Sequence, residues 1–163
     1  MCRYGSVRPP VTAASQQGEP SVTGQPAGAV WPSASPPPAS PALTWQLQDV
    51  AELPAVRAQL RRHESAQRPD PDLLDQLVLA LDEMASNALR HGGGDVRATV
   101  RLTEDAYLLE VSDRAAASPP TPAVGRDPSE GGLGLYLIAE MATEHGWYVD
   151  GGHKFVWALL PRT

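Results

Sequence analysis

Apolar and polar side chains alternate with two different periods along this chain, and the places where the period changes divide it into elements. Leu43-Thr44-Trp45-Gln46-Leu47 alternates at the strand period of two and predicts an edge strand. Val50, Leu53, Val56 and Leu60 then recur at helical spacing, with Pro54 in the opening turn and a polar stretch before Pro69, which predicts a first helix. Asp70-Pro71-Asp72 supplies an N-cap, a proline at the first helical position and an acidic first turn. Gly92-Gly93-Gly94 supplies the stop, so a second helix runs over 71–91. Val96 to Leu102 and Tyr107 to Val111 alternate on either side of Thr103-Glu104-Asp105 and read as a β-hairpin.

Between 114 and 130 the pattern vanishes into Ala, Ser, Pro and Asp, a long loop of the kind used as a lid or binding loop. Gly131-Gly132-Leu133-Gly134 opens a third amphipathic helix that runs to about His145, and Gly146 closes it. Trp147-Tyr148-Val149 and Phe155 to Leu160, joined through Asp150-Gly151-Gly152, form a closing hairpin. Strands outnumber helices and come as hairpins. The order predicts an α+β two-layer sandwich in which helices cover one face of a mixed, mostly antiparallel sheet.

Composition changes this picture at the N-terminus. Nine of the 17 Pro fall in the first 44 positions, whose only charges are Arg3, Arg8 and Glu19 and whose only Leu is Leu43. Such a stretch buries too little apolar surface to offset the entropy of ordering, so residues 1–44 are expected to be a disordered Pro/Ala/Ser-rich tail and 45–163 the folded domain. The chain carries a net charge of −6. An acidic body argues against nonspecific binding to nucleic acid or to an anionic membrane surface. The single cysteine, Cys2, leaves no internal disulfide and no Cys-based zinc site, and a reducing, cytoplasmic compartment is expected. No apolar run approaches the roughly 18 residues of a membrane span.

Candidate chemistry gathers in three places. On the 71–91 helix, Leu74, Leu77, Val78, Leu81, Met84, Ala85 and Ala88 share one face, while Asp75, Asp82, Ser86 and Arg90 share another. A third stripe carries Glu83, Asn87 and His91 at i, i+4 and i+8 beside Leu73 and Ala80, which suits either a cleft wall or a solvated flank. Asp113 stands where the 107–111 strand gives way to the long loop; it is either a turn former or an acceptor for an amino group such as that of a purine. Gly131-Gly132-Leu133-Gly134 either lets a loop re-enter the fold or bares helix N-terminal N–H groups to a phosphate chain. No GK[ST] follows these glycines, and the order of elements is not βαβ, so neither a Walker loop nor a dinucleotide fingerprint is present.

Taken together, these stretches resemble one known arrangement. Glu83-Met84-Ala85-Ser86-Asn87-Ala88 with Arg90-His91-Gly92 is similar to the N box of the histidine-kinase-like (GHKL) ATPase superfamily, whose fold is the Bergerat sandwich. Asp113 stands where the first glycine box begins, and Gly131-Gly132-Leu133-Gly134-Leu135 is similar to the second. Within that superfamily the chain resembles the anti-sigma-factor branch of serine/threonine kinases, and its ending, Gly151-Gly152-His153-Lys154-Phe155-Val156-Trp157-Ala158, is similar to that of actinobacterial members. The resemblance covers about residues 45–161.

The resemblance implies a set of roles. Asn87 would be a ligand of Mg²⁺ on ATP, and Glu83 the catalytic base that takes the proton from a partner's serine. Asp113 would accept from the adenine amino group, His91 would lie near the nucleotide, and Gly131, Gly132, Leu133, Gly134 and Leu135 would hold phosphate oxygens through backbone N–H groups. Implied partners are a sigma factor and its STAS-type anti-sigma-factor antagonist, with homodimers common in the branch. One departure stands out: the family's Asp-x-Gly-x-Gly reads Asp113-Arg114-Ala115-Ala116-Ala117 here. That favours, as an alternative, a non-catalytic binding module of the same fold. Lys154, in the last hairpin, either approaches phosphates or is a solvated turn lysine, and the solvated turn is the expectation.

Overall fold

The computed structural model describes residues 26–123 and 133–163. Strand β1 (Ser40–Leu47) leads through a one-turn 3₁₀ segment (Val50–Glu52) into helix α1 (Leu53–Ser65). Helix α2 (Pro71–His91) follows, then β2 (Val96–Leu102), β3 (Ala106–Asp113), α3 (Leu133–Met141), β4 (Glu144–Asp150) and β5 (His153–Pro161). The sheet order is β1-β2-β3-β5-β4, and every pairing between these strands is antiparallel. The α+β sandwich expected from the pattern is the fold observed, with β1 at an edge.

Local chemistry explains the element ends. The Asp70 carboxylate accepts from the N–H groups of Asp72 and Leu73, and Pro71 occupies a first-turn position whose N–H would find no helical partner. Arg57 pairs with Asp82, and Arg61 with Asp75 at 2.8 Å, which tie α1 to α2. In the turn between β4 and β5, Gly151 and Gly152 both take positive φ, 55° and 78°, the backbone a tight two-residue hairpin turn requires. Strand β1 begins at Ser40, earlier than expected; it admits Pro41 because it is an edge strand with an irregularity between Pro41 and Leu43. Helix α3 stops at Met141, short of His145. Thr143 N–H already donates to Leu159 C=O on β5, so the chain has joined the sheet before the helical pattern ends.

Alternation along the strands sorts the two faces. Val96, Ala98, Val100, Leu109, Val111, Val156, Ala158 and Leu160 meet Leu77, Leu81, Met84, Ala85 and Ala88 of α2 and Ile138 of α3 in the main core. Ala106, Leu108, Trp157 and Leu159 point the other way and form a small second cluster, with Ala39 and Tyr148 packed on it. Residues 26–39 belong to this packing. Trp147 N–H donates to Pro32 C=O (3.0 Å) and Ala34 N–H to Trp147 C=O (2.9 Å), a short parallel bridge along the β4 edge. The Trp157 indole N–H donates to Ala34 C=O at 2.7 Å. Trp31 is 1% exposed, sits in the main core, and tilts against the His145 ring with centroids 4.6 Å apart.

The packed unit therefore takes in residues ahead of the boundary expected at 44/45. Averaging composition over the tail hid one residue, Trp31, large enough to anchor a segment by itself.

Candidate functional site

Four elements, β3, β5, α2 and α3, converge at the end of the sheet where β3 leaves it and α2 terminates. Asp113 is the last residue of β3 and shares the helix-facing side with Leu109 and Val111. Directly across the ladder, Asp113 pairs with Lys154 of β5. From above, α2 contributes Met84, Asn87 and Ala88, α3 contributes Leu135, and Pro120 of the 114–123 loop closes one side. With Val111 and Val156 these residues line a small, partly open cavity of about 20 Å³, room for roughly one water molecule.

Gly92 makes the convergence possible. A Cβ at that position would lie 2.5 Å from both Ala88 O and Asp113 Cβ, and Gly92 C=O accepts from Arg114 N–H at 2.9 Å. The end of α2 and the end of β3 thus touch through a residue without a side chain. Gly92→Ala is expected to cost about 1–3 kcal/mol in urea denaturation, because neither neighbour is the free end of a flexible side chain. A loss under about 0.5 kcal/mol, the range of an ordinary surface change, would contradict this packing.

The electrostatics of the cavity centre on a buried pair. Asp113 is 3% and Lys154 8% exposed. Asp113 Oδ1 accepts from Ala115 N–H at 2.8 Å, and Oδ2 lies 3.7 Å from Lys154 Nζ, which donates to Ser118 C=O at 3.0 Å. Burial raises the Asp113 carboxyl above the usual carboxylate range, against the opposing pull of the Ala115 N–H and the Lys154 ammonium. The turn after Asp113 needs no glycine: among the described residues the only non-glycine positions with positive φ are Arg68 and Asp95, so Ala115 to Ala117 keep ordinary backbone conformations.

Of the residues singled out in the sequence, Asn87, Asp113 and Leu135 line the cavity together. Glu83 lies one turn before Asn87 on α2 and is half-buried beneath α3. There Gly134 packs on it so closely that a Cβ would overlap Glu83 Oε2 and sit 2.8 Å from Glu83 Cβ. His91, at the end of α2, is exposed and is not part of the cavity lining, and Leu133 is 46% exposed. Gly131 and Gly132 lie outside the described residues. Lys154 corrects the expectation of a solvated turn lysine. It is in phase with Val156, Ala158 and Leu160, so the period of two already places it on the core side.

The model of the histidine kinase-like ATPase domain family matches residues 47–158, and the chain belongs to that family. Among solved structures it is similar to the RsbU and RsbW domains of Rv1364c from Mycobacterium tuberculosis, at 19% identity and a TM-score of 0.52, over 74% of this chain and 33% of that one. It thus spans about a third of the length of that protein chain. It is also similar to the histidine kinase AdeS of Acinetobacter baumannii, at 13% identity and a TM-score of 0.39, over 74% of this chain and 68% of that one. At 19% identity the likeness to the Mycobacterium tuberculosis domains is one of fold. No curated protein sequence matches the chain.

Proposed function

We propose that the chain binds MgATP in this cavity and transfers its γ-phosphoryl group to a serine of a STAS-type anti-sigma-factor antagonist, as an anti-sigma-factor-type serine/threonine kinase. The observation that carries the reading is the convergence of Asn87 and Asp113 on one cavity, with Glu83 one turn before Asn87, in a chain of the histidine kinase-like ATPase family.

The donor set fits the metal. Asn87 lines the cavity and would hold Mg²⁺ through its neutral carboxamide oxygen, a hard-cation ligand. When bound, the ion neutralises charge on the phosphates and orients them. Asp113 accepts from the exocyclic amino group of the base at the buried end, and Leu135, Val111 and Val156 supply apolar walls. The first turn of α3, with Gly134 and Leu135, would bring helix N-terminal N–H groups to the phosphate end. Glu83 takes the proton from the serine hydroxyl as its oxygen bonds the γ-phosphorus and the bond to the β-phosphate oxygen breaks, which releases ADP.

Regulation of transcription follows from this chemistry in a partner-switching scheme: the kinase holds a sigma factor, and phosphorylation of the antagonist sets which partner it keeps. A homodimer in the cytoplasm is the expected setting; among the described residues no helix is long and apolar enough to cross a membrane. One observation favours the alternative of a non-catalytic module. The tie from Lys154 to Ser118 draws the 114–123 loop over the cavity. Incubation of the full chain with γ-labelled ATP and candidate STAS proteins decides between them. Label on a serine supports the kinase; saturable partner binding without label, at millimolar MgATP, supports the module.

A further inference from the structure

The mechanism just proposed gives no work to Lys154, yet this lysine is buried in the cavity beside the residue assigned to the base. Its ammonium spends one N–H on Ser118 C=O and keeps donors to spare. Asp113 likewise spends Oδ1 on Ala115 N–H and keeps Oδ2. The two remaining groups stand 3.7 Å apart as an ion pair without a direct hydrogen bond, so each keeps hydrogen-bonding capacity for a ligand. The cavity therefore presents an acceptor and a donor side by side, walled by Met84, Ala88, Val111, Leu135 and Val156.

That pairing has a specific consequence for the base it can take. The purine edge also carries its two hydrogen-bonding groups side by side. In adenine N7 accepts beside the donating N6 amino group; in guanine and hypoxanthine O6 accepts beside the donating N1–H. A carboxylate alone satisfies the adenine amino group but leaves a buried O6 unpaired and next to negative charge, which penalises the 6-oxopurines. A carboxylate with an adjacent ammonium satisfies both rings, because the acceptor–donor order, N7 then N6 in adenine and O6 then N1–H in the 6-oxopurines, runs the same way around the ring, and an in-plane rotation brings either pair to the two side chains.

We infer that Lys154 is a specificity-determining residue that admits 6-oxopurine nucleotides, GTP and ITP, to the same cavity as ATP, donating to O6 while Asp113 accepts from N1–H. The inference rests on the nucleotide reading above.

The test is calorimetric titration of MgATP, MgGTP and MgITP into the full chain and into Lys154→Met and Lys154→Arg. Wild-type affinities for GTP and ITP are expected within about tenfold of that for ATP, and Lys154→Met is expected to weaken GTP and ITP relative to ATP by about tenfold or more, the worth of a hydrogen bond to a charged group. Lys154→Arg, which keeps a cationic donor, should preserve the wild-type ratio. The ratio between nucleotides cancels any general loss of folding, and the wild-type ratio stands alone if Lys154→Met does not fold. Wild-type protein that binds ATP and rejects GTP and ITP would overturn the inference, as would a ratio unchanged in Lys154→Met. Failure to bind any of the three would overturn the nucleotide reading itself.

Discussion

Glu83→Gln is expected to lower the rate of phosphoryl transfer by about a hundredfold to ten-thousandfold, the usual worth of a positioned general base, while MgATP affinity stays within about threefold. The split follows from geometry. Glu83 lies on the same stripe of α2 as Asn87, but it is not part of the cavity lining; it sits one turn back, under Gly134. Gln keeps the size and shape that Gly134 packs against and removes only the capacity to take a proton. Single-turnover transfer from labelled ATP to a STAS substrate, measured beside calorimetric binding, separates the two effects. Transfer within about threefold of wild type would remove Glu83 from the reaction, and a parallel collapse of binding would recast it as a structural support for α3.

Trp31→Ala is expected to cost about 3–5 kcal/mol, the range for deleting a large aromatic side chain from a core. A domain with about 5–15 kcal/mol of total stability has little room for such a loss. Trp31 is 1% exposed, and its backbone N–H donates to Pro120 C=O at 3.1 Å, so the segment it anchors also braces the loop that closes the cavity. Its indole N–H has no hydrogen-bond partner among the described residues, so Trp31→Phe, which removes that buried donor and keeps an aromatic ring, should cost clearly less than Trp31→Ala. Urea denaturation of the full chain reads both. A change under about 0.5 kcal/mol for Trp31→Ala would show that residues 26–39 contribute nothing to the fold.

The contrast between α2 and Trp31 shows what the sequence disclosed. Helix α2 was legible to the residue because its signals are local: Asp70 and Pro71 begin it, Gly92 follows it, and its apolar face repeats. The hairpins and the sheet's two faces were legible for the same reason, since alternation records burial directly. Trp31 was not, because its burial depends on Pro120 and on the edge of β4, more than eighty residues away in the chain. The end of α3 failed likewise: nothing within residues 142–145 forbids a helix, and only the bond from Thr143 to Leu159 shows why it stops.

The candidate site divides along the same line. Spacing and position left Asn87 open between a cleft wall and a solvated flank and Asp113 between a turn former and a ligand group; the roles came from the resemblance, and both residues line the cavity. The helical stripe gave the direction of Glu83, Asn87 and His91 but not their depth, so it could not separate the cavity-lining Asn87 from the exposed His91. Gly134 was read as bare backbone for phosphate; the structure adds a packing reason, since only a glycine fits over Glu83. Lys154 was within reach of the alternation in β5, but its nearness to the Gly151-Gly152 turn argued for solvent.

The central claim is that the cavity between α2 and the ends of β3 and β5 binds MgATP, and calorimetric titration of MgATP into the full chain beside Asn87→Ala tests it most directly. Saturable one-site binding by the wild type, weakened by tenfold or more in an Asn87→Ala protein that melts normally, is the result expected when a charge-assisted ligand interaction is lost. No binding by folded wild-type protein at millimolar MgATP, or equal binding by Asn87→Ala, would contradict it.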